Sequence, residues 1–178
     1  MQDVIAYFDH VESGICLRIN RLSHRRLARR FFSIVSKLGD GGAWVVMVAV
    51  LYAKRGHDFL PSVALIAVTA GIGVLIYSQL KNRLVRERPY INHGDILCGA
   101  APLDRYSFPS GHTLHAVSFT IMLAAVEPQM LFIAVPFALL VAASRVILGL
   151  HYPSDVFAGG VLGAILASVS LTLFRAFH

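Results

Sequence analysis

"FLPSVALIAVTAGIGVLIYSQ", Phe59 to Gln79, carries no charged side chain. A helix needs about 20 apolar residues to cross the hydrocarbon core of a bilayer, and this stretch has that length. "VFAGGVLGAILASVSLTLF" (Val156 to Phe174) is a second charge-free run, and "PQMLFIAVPFALLVAAS" (Pro128 to Ser144), continuing toward Leu148, is a third. Two shorter runs, "GGAWVVMVAVLYA" and "TLHAVSFTIMLAAV", reach spanning length only with their flanks, Leu38 to Lys54 and Ser110 to Glu127. Five spans are therefore expected in an all-α, polytopic membrane helix bundle. The connections "KRGHD" and "EP" are tight, which predicts antiparallel neighbours across each. Gly159 and Gly163 form a small-xxx-small pair suited to close helix packing.

Composition agrees with lipid as part of the solvent. Of 178 residues, 56% are hydrophobic and 15% charged, against about 25% charged in soluble domains. The formal charge of +6 suits anionic headgroups, and no nucleic-acid partner is expected because no soluble basic domain is present. Cys16 and Cys98 fit neither a disulfide framework nor a zinc spacing. The N-terminus carries acids and no basic leader, so no cleavable signal peptide is expected.

Before the first span the pattern turns amphipathic. Val4, Ile5, Phe8, Val11, Ile15 and Ile19 recur near helical period, and "HRRLARRFFSIVSK" follows, rich in Arg with one apolar face. This reads as a helix lying in the membrane interface. The chain thus divides into an amphipathic segment, residues 1–37, and a membrane-embedded core, residues 38–178. Trp44 is expected at a membrane interface.

Charge beside a span is costly, so the places where it clusters matter. "KNRLVRERP" (Lys81 to Pro89) puts Lys81 and Arg88 two helical turns apart, with the helix expected to stop at Arg88 before Pro89. Bland headgroup anchoring would explain those cations equally well. "PSGH" (Pro109 to His112) looks like a helix start: Pro suits a first turn and Ser110 an N-cap. The unpaired N–H groups of such a start suit an anion, Gly111 lets it approach, and His112 can exchange a proton near neutral pH. His115 is expected to pack. "SRVILGLHYPSD" (Ser144 to Asp155) places Arg145 at the end of an apolar run, then His151 in a turn, with Asp155 four residues on, able to reach the imidazole.

Three cations, two histidines, an acid, a hydroxyl and a helix N-terminus suit a multiply charged tetrahedral oxyanion, meaning phosphate. One histidine would attack phosphorus and the other protonate the departing oxygen. No metal or other cofactor is expected, because the ligand spacing is not compact and the cations would repel a divalent ion.

Lys81-x6-Arg88-Pro89, Pro109-Ser110-Gly111-His112 and Ser144-Arg145-x5-His151-x3-Asp155 together resemble the tripartite signature of the type 2 phosphatidic acid phosphatase superfamily. The resemblance covers roughly residues 38–174 and implies a metal-independent membrane hydrolase of lipid phosphates or diphosphates. It implies His151 as the nucleophile forming a phosphohistidine, Asp155 as the group that orients it, and His112 as general acid and then base. Lys81, Arg88, Ser110, Gly111 and Arg145 would hold phosphate oxygens. Undecaprenyl diphosphate is the favoured substrate, with phosphatidate or phosphatidylglycerophosphate next. The short segment "YINHGDILCGAAPLDRYS" leaves little material for an elaborate headgroup pocket.

Two other classes remain in view: a vanadium-haloperoxidase-like oxidoreductase, opposed by the apolar spans, and a non-catalytic lipid-binding protein, opposed by the intact histidine pair. The expected location is a bacterial inner membrane, crossed several times. Many bacterial members of the family have six spans, and this chain resembles them without the first. Positive-inside counting would turn the site toward the cytoplasm, whereas the resemblance implies an outward face.

Overall fold

The computed structural model describes residues 2–102 and 104–177. The side chains of residues 2–10 lie outside the described set, and with them Val4, Ile5 and Phe8 of the expected apolar stripe. The described chain is helical, with α1 (Gln2–Asn20), α2 (Arg26–Gly39), α3 (Gly42–Arg55), α4 (Leu60–Leu84), the single turn α5 (Pro89–Asn92), α6 (Gly111–Val126), α7 (Leu131–Ile147) and α8 (Pro153–Phe177).

Three stretches are long and apolar enough to cross a membrane: 42–84, which contains α3 and α4, then 128–147 and 153–177. The 16-residue α6 is apolar but shorter. Large apolar side chains point outward all round the bundle, among them Val45, Val68, Leu75, Phe132, Leu139, Phe157 and Ile165. That exterior belongs in lipid.

The bundle is organised around α6, which packs on α8, α7 and α4 and touches α2. Gly159 and Gly163 make the closest approach, α8 lying directly on the α6 backbone at Ser110 and Leu114. As the "EP" connection predicted, α6 and α7 are packed neighbours. The "KRGHD" connection behaves differently. It forms a tight turn at Gly56, but α3 and α4 do not pack along each other. Both instead feed one apolar cluster with α6, α7 and α8. There Trp44 is buried, its ring 5.5 Å from Phe119 and 5.1 Å from Phe137. It is a core residue of the bundle, held between α3 and the facing sides of α6 and α7.

On α2 the stripe Leu27, Phe31, Ile34 and Leu38 faces out, while Val35, Ser36 and Gly39 are buried. Gly39 allows α2 to lie against Val141 of α7, where a Cβ would come within 2.9 Å. Two buried polar side chains fasten the N-terminal helices to the end of α7. The Asn20 amide donates to the carbonyls of Leu97 and Ile147, both at 2.9 Å, and the Ser23 hydroxyl donates to Ile147 O at 2.6 Å. They satisfy carbonyls that a helix end leaves open and so fix the loop carrying His151.

Candidate active site

Each motif cluster takes its position from a local break in helix geometry. The α4 helix ends at Leu84, four residues before Arg88, because Val85 turns left-handed (φ 47°). Arg88 is extended (φ −76°, ψ 151°), as a residue before proline prefers. Lys81 and Arg88 therefore do not share a helix face; they meet because the chain turns back. Ser110 caps α6, its hydroxyl accepting from the Thr113 N–H at 3.4 Å, as the sequence suggested. Gly149 sits at φ 72° between Ile96 and the Leu97 carbonyl, so a Cβ would be crowded on both sides. That turn carries the chain from α7 to His151 and into α8.

The three clusters converge. Lys81, Arg88, Gly111, His112, Arg145 and His151 all line one cavity of about 300 Å³. Its other end is apolar, with Ala70 and Val74 of α4, Phe119 of α6 and the backbone turn at Gly41, where α3 and α4 diverge. His115 lines it too, stacked on Phe119 with ring centroids 5.6 Å apart, which agrees with a packing role. Ser110 and Asp155 stand behind the wall. The Ser110 hydroxyl is turned into its own helix start, and Asp155 is fully buried behind His151.

The polar end is strongly cationic. Lys81, Arg88 and Arg145 are all buried, which is unfavourable without anionic partners. Asp104 supplies one: its carboxylate accepts from Lys81 Nζ at 2.7 Å and Arg88 Nη2 at 2.9 Å. Burial works against that carboxylate, but Lys81 and Arg88 outweigh it and hold Asp104 below the usual carboxylate range. Arg145 Nη1 donates to the Ser36 hydroxyl, while its Nε is buried with no hydrogen-bond partner among the described residues. The site thus holds more positive charge than its own acids satisfy.

The two imidazoles sit in different fields. Arg88 Nη1 approaches His151 Nε2 at 3.2 Å. A guanidinium can only donate, so Nε2 accepts and the ring proton belongs on Nδ1. Nδ1 lies 3.7 Å from Asp155 Oδ2, an ion-pair distance too long for a hydrogen bond. Burial, and after it the charges of Arg145, Arg88 and Lys81, hold His151 well below its usual value and therefore neutral. His112 Nε2 lies against the Asp40 carboxylate, off the line that a hydrogen bond requires. Burial would raise Asp40, but His112, Arg145 and Lys37 overcome it and keep the carboxylate ionised.

A second cavity of about 310 Å³ shares Asp40, His112 and Arg145 with the first. It opens between Ser33 and Lys37 of α2 and Ala100 and Ala101 of the loop joining α5 to α6. The site therefore has an apolar end and a polar one.

The profile of the PAP2 superfamily matches residues 59–178, a range that contains every motif position around the cavity. The chain belongs to the PAP2 superfamily. The undecaprenyl-diphosphatase of Sulfolobus acidocaldarius is 30% identical to it over 145 residues, 78% of this chain and 67% of that protein. The lipid A 1-phosphatase of Rhizobium johnstonii is 26% identical over 161 residues, 79% of this chain and 66% of that protein. This PAP2 chain thus spans about two thirds of the length of these curated relatives. Among solved structures, Aquifex aeolicus LpxE superposes with a TM-score of 0.77 at 27% identity, covering 91% of this chain and 95% of LpxE. The Bacillus subtilis transmembrane PAP2-type phosphatidylglycerolphosphate phosphatase shares the fold, with a TM-score of 0.68 at 21% identity over 98% and 96% of the two chains.

Several groups of this PAP2 site escaped the sequence reading. Asp104 lies inside the segment read as a short loop, and Asp40 inside the Leu38 to Lys54 stretch read as the first span. Arg86 stands between Lys81 and Arg88 in the first motif, yet its guanidinium points away from the cavity, donating to Asp155 Oδ1 at 2.6 Å and Glu12 Oε2 at 2.8 Å. A surplus arginine in a cluster already holding two needed cations was the available signal. Nothing in the local pattern marked Glu12.

Proposed function

We propose that the cavity hydrolyses a lipid phosphate or diphosphate through a phosphohistidine, with undecaprenyl diphosphate as the favoured substrate and phosphatidate or phosphatidylglycerophosphate next. The observation that carries this reading is the meeting of Lys81, Arg88, Arg145, His112 and His151 at one end of a cavity whose other end is apolar. The substrate phosphate takes the place of the Asp104 carboxylate on Lys81 and Arg88 and adds Arg145. Arg88 and Arg145 then stabilise the charge of the bipyramidal transition state.

His151 Nε2 attacks the terminal phosphorus while its bond to the leaving oxygen breaks, the ester oxygen of a monoester or the bridging oxygen of a diphosphate, and His112 gives the alkoxide of a monoester its proton. Water then attacks the phosphohistidine, His112 removes its proton, and the P–N bond breaks to release inorganic phosphate. Asp155 faces the Nδ1 proton and supports the positive charge that develops on the ring. The second cavity reaches His112 without crossing the apolar end, so water has a route to the base while lipid product still fills the groove.

A volume near 300 Å³ is at the lower limit for small-molecule sites. It holds a phosphate end and the first carbons, leaving the tail in the bilayer between α3 and α4. This favours a compact headgroup. The three apolar stretches long enough to cross a membrane support a polytopic membrane protein, for which a bacterial inner membrane is the proposed location.

The test is phosphate release in detergent from polyprenyl diphosphate, phosphatidate and phosphatidylglycerophosphate, with chelator present. Turnover is expected to survive the chelator, to be highest on the polyprenyl diphosphate, and to be inhibited by vanadate. Turnover lost to the chelator and restored by a divalent ion would contradict the mechanism.

A pH profile adds a second check. Because His151 is held below the ordinary histidine value of about 6.5, the nucleophile stays unprotonated as pH falls through that value. The acid limb of kcat/KM, which reports the free enzyme, is expected below pH 6.5. An acid limb above it would exclude His151 as the neutral nucleophile of this structure.

A further inference from the structure

Asp155 is fully buried, so its ionised form depends on what surrounds it. The Tyr152 N–H donates to Oδ2 at 2.8 Å, and Arg86 Nη1 donates to Oδ1 at 2.6 Å. The Oδ2 atom is also the one that faces His151 Nδ1. Arg86 is itself buried, its guanidinium carbon 4.0 Å from the centre of the Tyr152 ring. Its second nitrogen, Nη2, is held by Glu12 Oε2 at 2.8 Å.

Glu12 does more than balance charge. Its Oε1 accepts the Ser154 N–H at 2.6 Å and its Oε2 accepts the Ser154 hydroxyl at 2.6 Å. Ser154 is in the first turn of α8, where backbone N–H groups lack intrahelical partners. A carboxylate from α1 therefore caps the helix that presents Asp155, and Arg86 Nη1 also donates to the Ser154 hydroxyl at 2.7 Å.

Arginine prefers to bind a carboxylate with two parallel hydrogen bonds. Left with Asp155 alone, Arg86 would take both of its oxygens and draw Oδ2 away from His151. With Nη2 committed to Glu12, the guanidinium meets Oδ1 through Nη1, and Oδ2 stays directed at the imidazole. We infer that Glu12 and Arg86 are positioning residues that hold Asp155 against His151, making α1 a working part of the phosphatase site. This inference rests on the proposed phosphatase reading. Glu12 lies well outside the part of the chain that matches the superfamily profile.

The test is a double-mutant cycle on the full chain in detergent. Glu12→Gln, which keeps the side-chain shape, is expected to lower kcat about tenfold, and Arg86→Gln about a hundredfold, the range typical of groups that orient a reacting residue. KM is expected to stay within about twofold, because such an effect falls on the chemical step and not on substrate binding. Vanadate inhibition is expected to be unchanged, since the phosphate seat is untouched. The double variant is expected to match Arg86→Gln alone, because coupled residues are not additive, and Arg86→Lys to recover part of the loss. In single turnover the deficit should fall on phosphohistidine formation.

If Arg86→Gln does not fold, Glu12→Gln and Arg86→Lys carry the comparison. An unchanged kcat in Glu12→Gln, or losses in KM and vanadate affinity that parallel kcat, would overturn the positioning role. A wild-type chain that turns over no lipid phosphate would instead refute the proposed function.

Discussion

His151→Ala is expected to abolish phosphate release, by about 10⁴-fold or more, since removing a nucleophile removes the covalent route altogether. His151 Nε2 faces the cavity beside Arg88, with the ring proton assigned to the far side. Asp155 lies behind it, 3.7 Å from Nδ1. His112 instead touches Asp40 through Nε2, and His115 is stacked on Phe119.

The partner variant separates the two histidines by chemistry. His112→Asn removes the acid that protonates the leaving oxygen, a contribution of about 10²–10⁴-fold. From a monoester the leaving group is an alkoxide, so His112→Asn is expected to stop phosphohistidine formation. From a diphosphate it is a lipid phosphate, a far weaker base that departs without help. There the first step is expected to persist while hydrolysis stalls, and labelled phosphohistidine accumulates. Quench-flow with substrate labelled in its terminal phosphate measures both. Label trapped in His151→Ala would move the nucleophile elsewhere.

Why these histidines could be picked out of 178 residues is a matter of cost. In a chain only 15% charged, a cation or imidazole at the edge of an apolar run needs a reason, so Lys81, Arg88, His112, Arg145 and His151 stood out. The N-cap at Ser110 was legible because its pattern is local. Other features depended on distant parts of the chain. Glu12 is 74 residues from Arg86, and Asp104 meets Lys81 across 23, so each looks like an ordinary surface acid until the helices are placed. The partners of Trp44 were hidden for a related reason: Phe119 and Phe137 reach it only once α6 and α7 are packed against α3. The end of α4 was placed too late because Pro89 signals a stop, but the left-handed turn at Val85 comes first.

The second large effect is expected at Gly163. A Cβ there would run into the Leu114 carbonyl oxygen, with Leu114 Cα also 3.1 Å away, and one at Gly159 would meet the Ser110 carbonyl. These obstacles are backbone, so no rotamer change relieves them, and α8 must move off α6. Overpacking of this kind costs about 1–3 kcal/mol, a large share of the roughly 5–15 kcal/mol that stabilises a folded chain. Gly163→Ala is therefore expected to lower the unfolding temperature in detergent by several degrees, and Gly163→Leu to prevent accumulation of folded protein.

Gly160 supplies the contrast on the same helix. Its Cβ would meet nothing closer than 3.8 Å, so Gly160→Ala should be neutral, or stabilising by up to about 1 kcal/mol through helix propensity. Activity should fall further than stability in Gly163→Ala. The α6–α8 contact begins where the Ser110 N–H donates to the Asp155 carbonyl at 3.0 Å, and His112 leaves from one side of that joint while Asp155 supports His151 from the other. Separating the helices separates acid from nucleophile. Thermal unfolding and phosphate release measured on the same preparations decide the matter, and equal behaviour of Gly160→Ala and Gly163→Ala would show that the small-residue stripe does not set this distance.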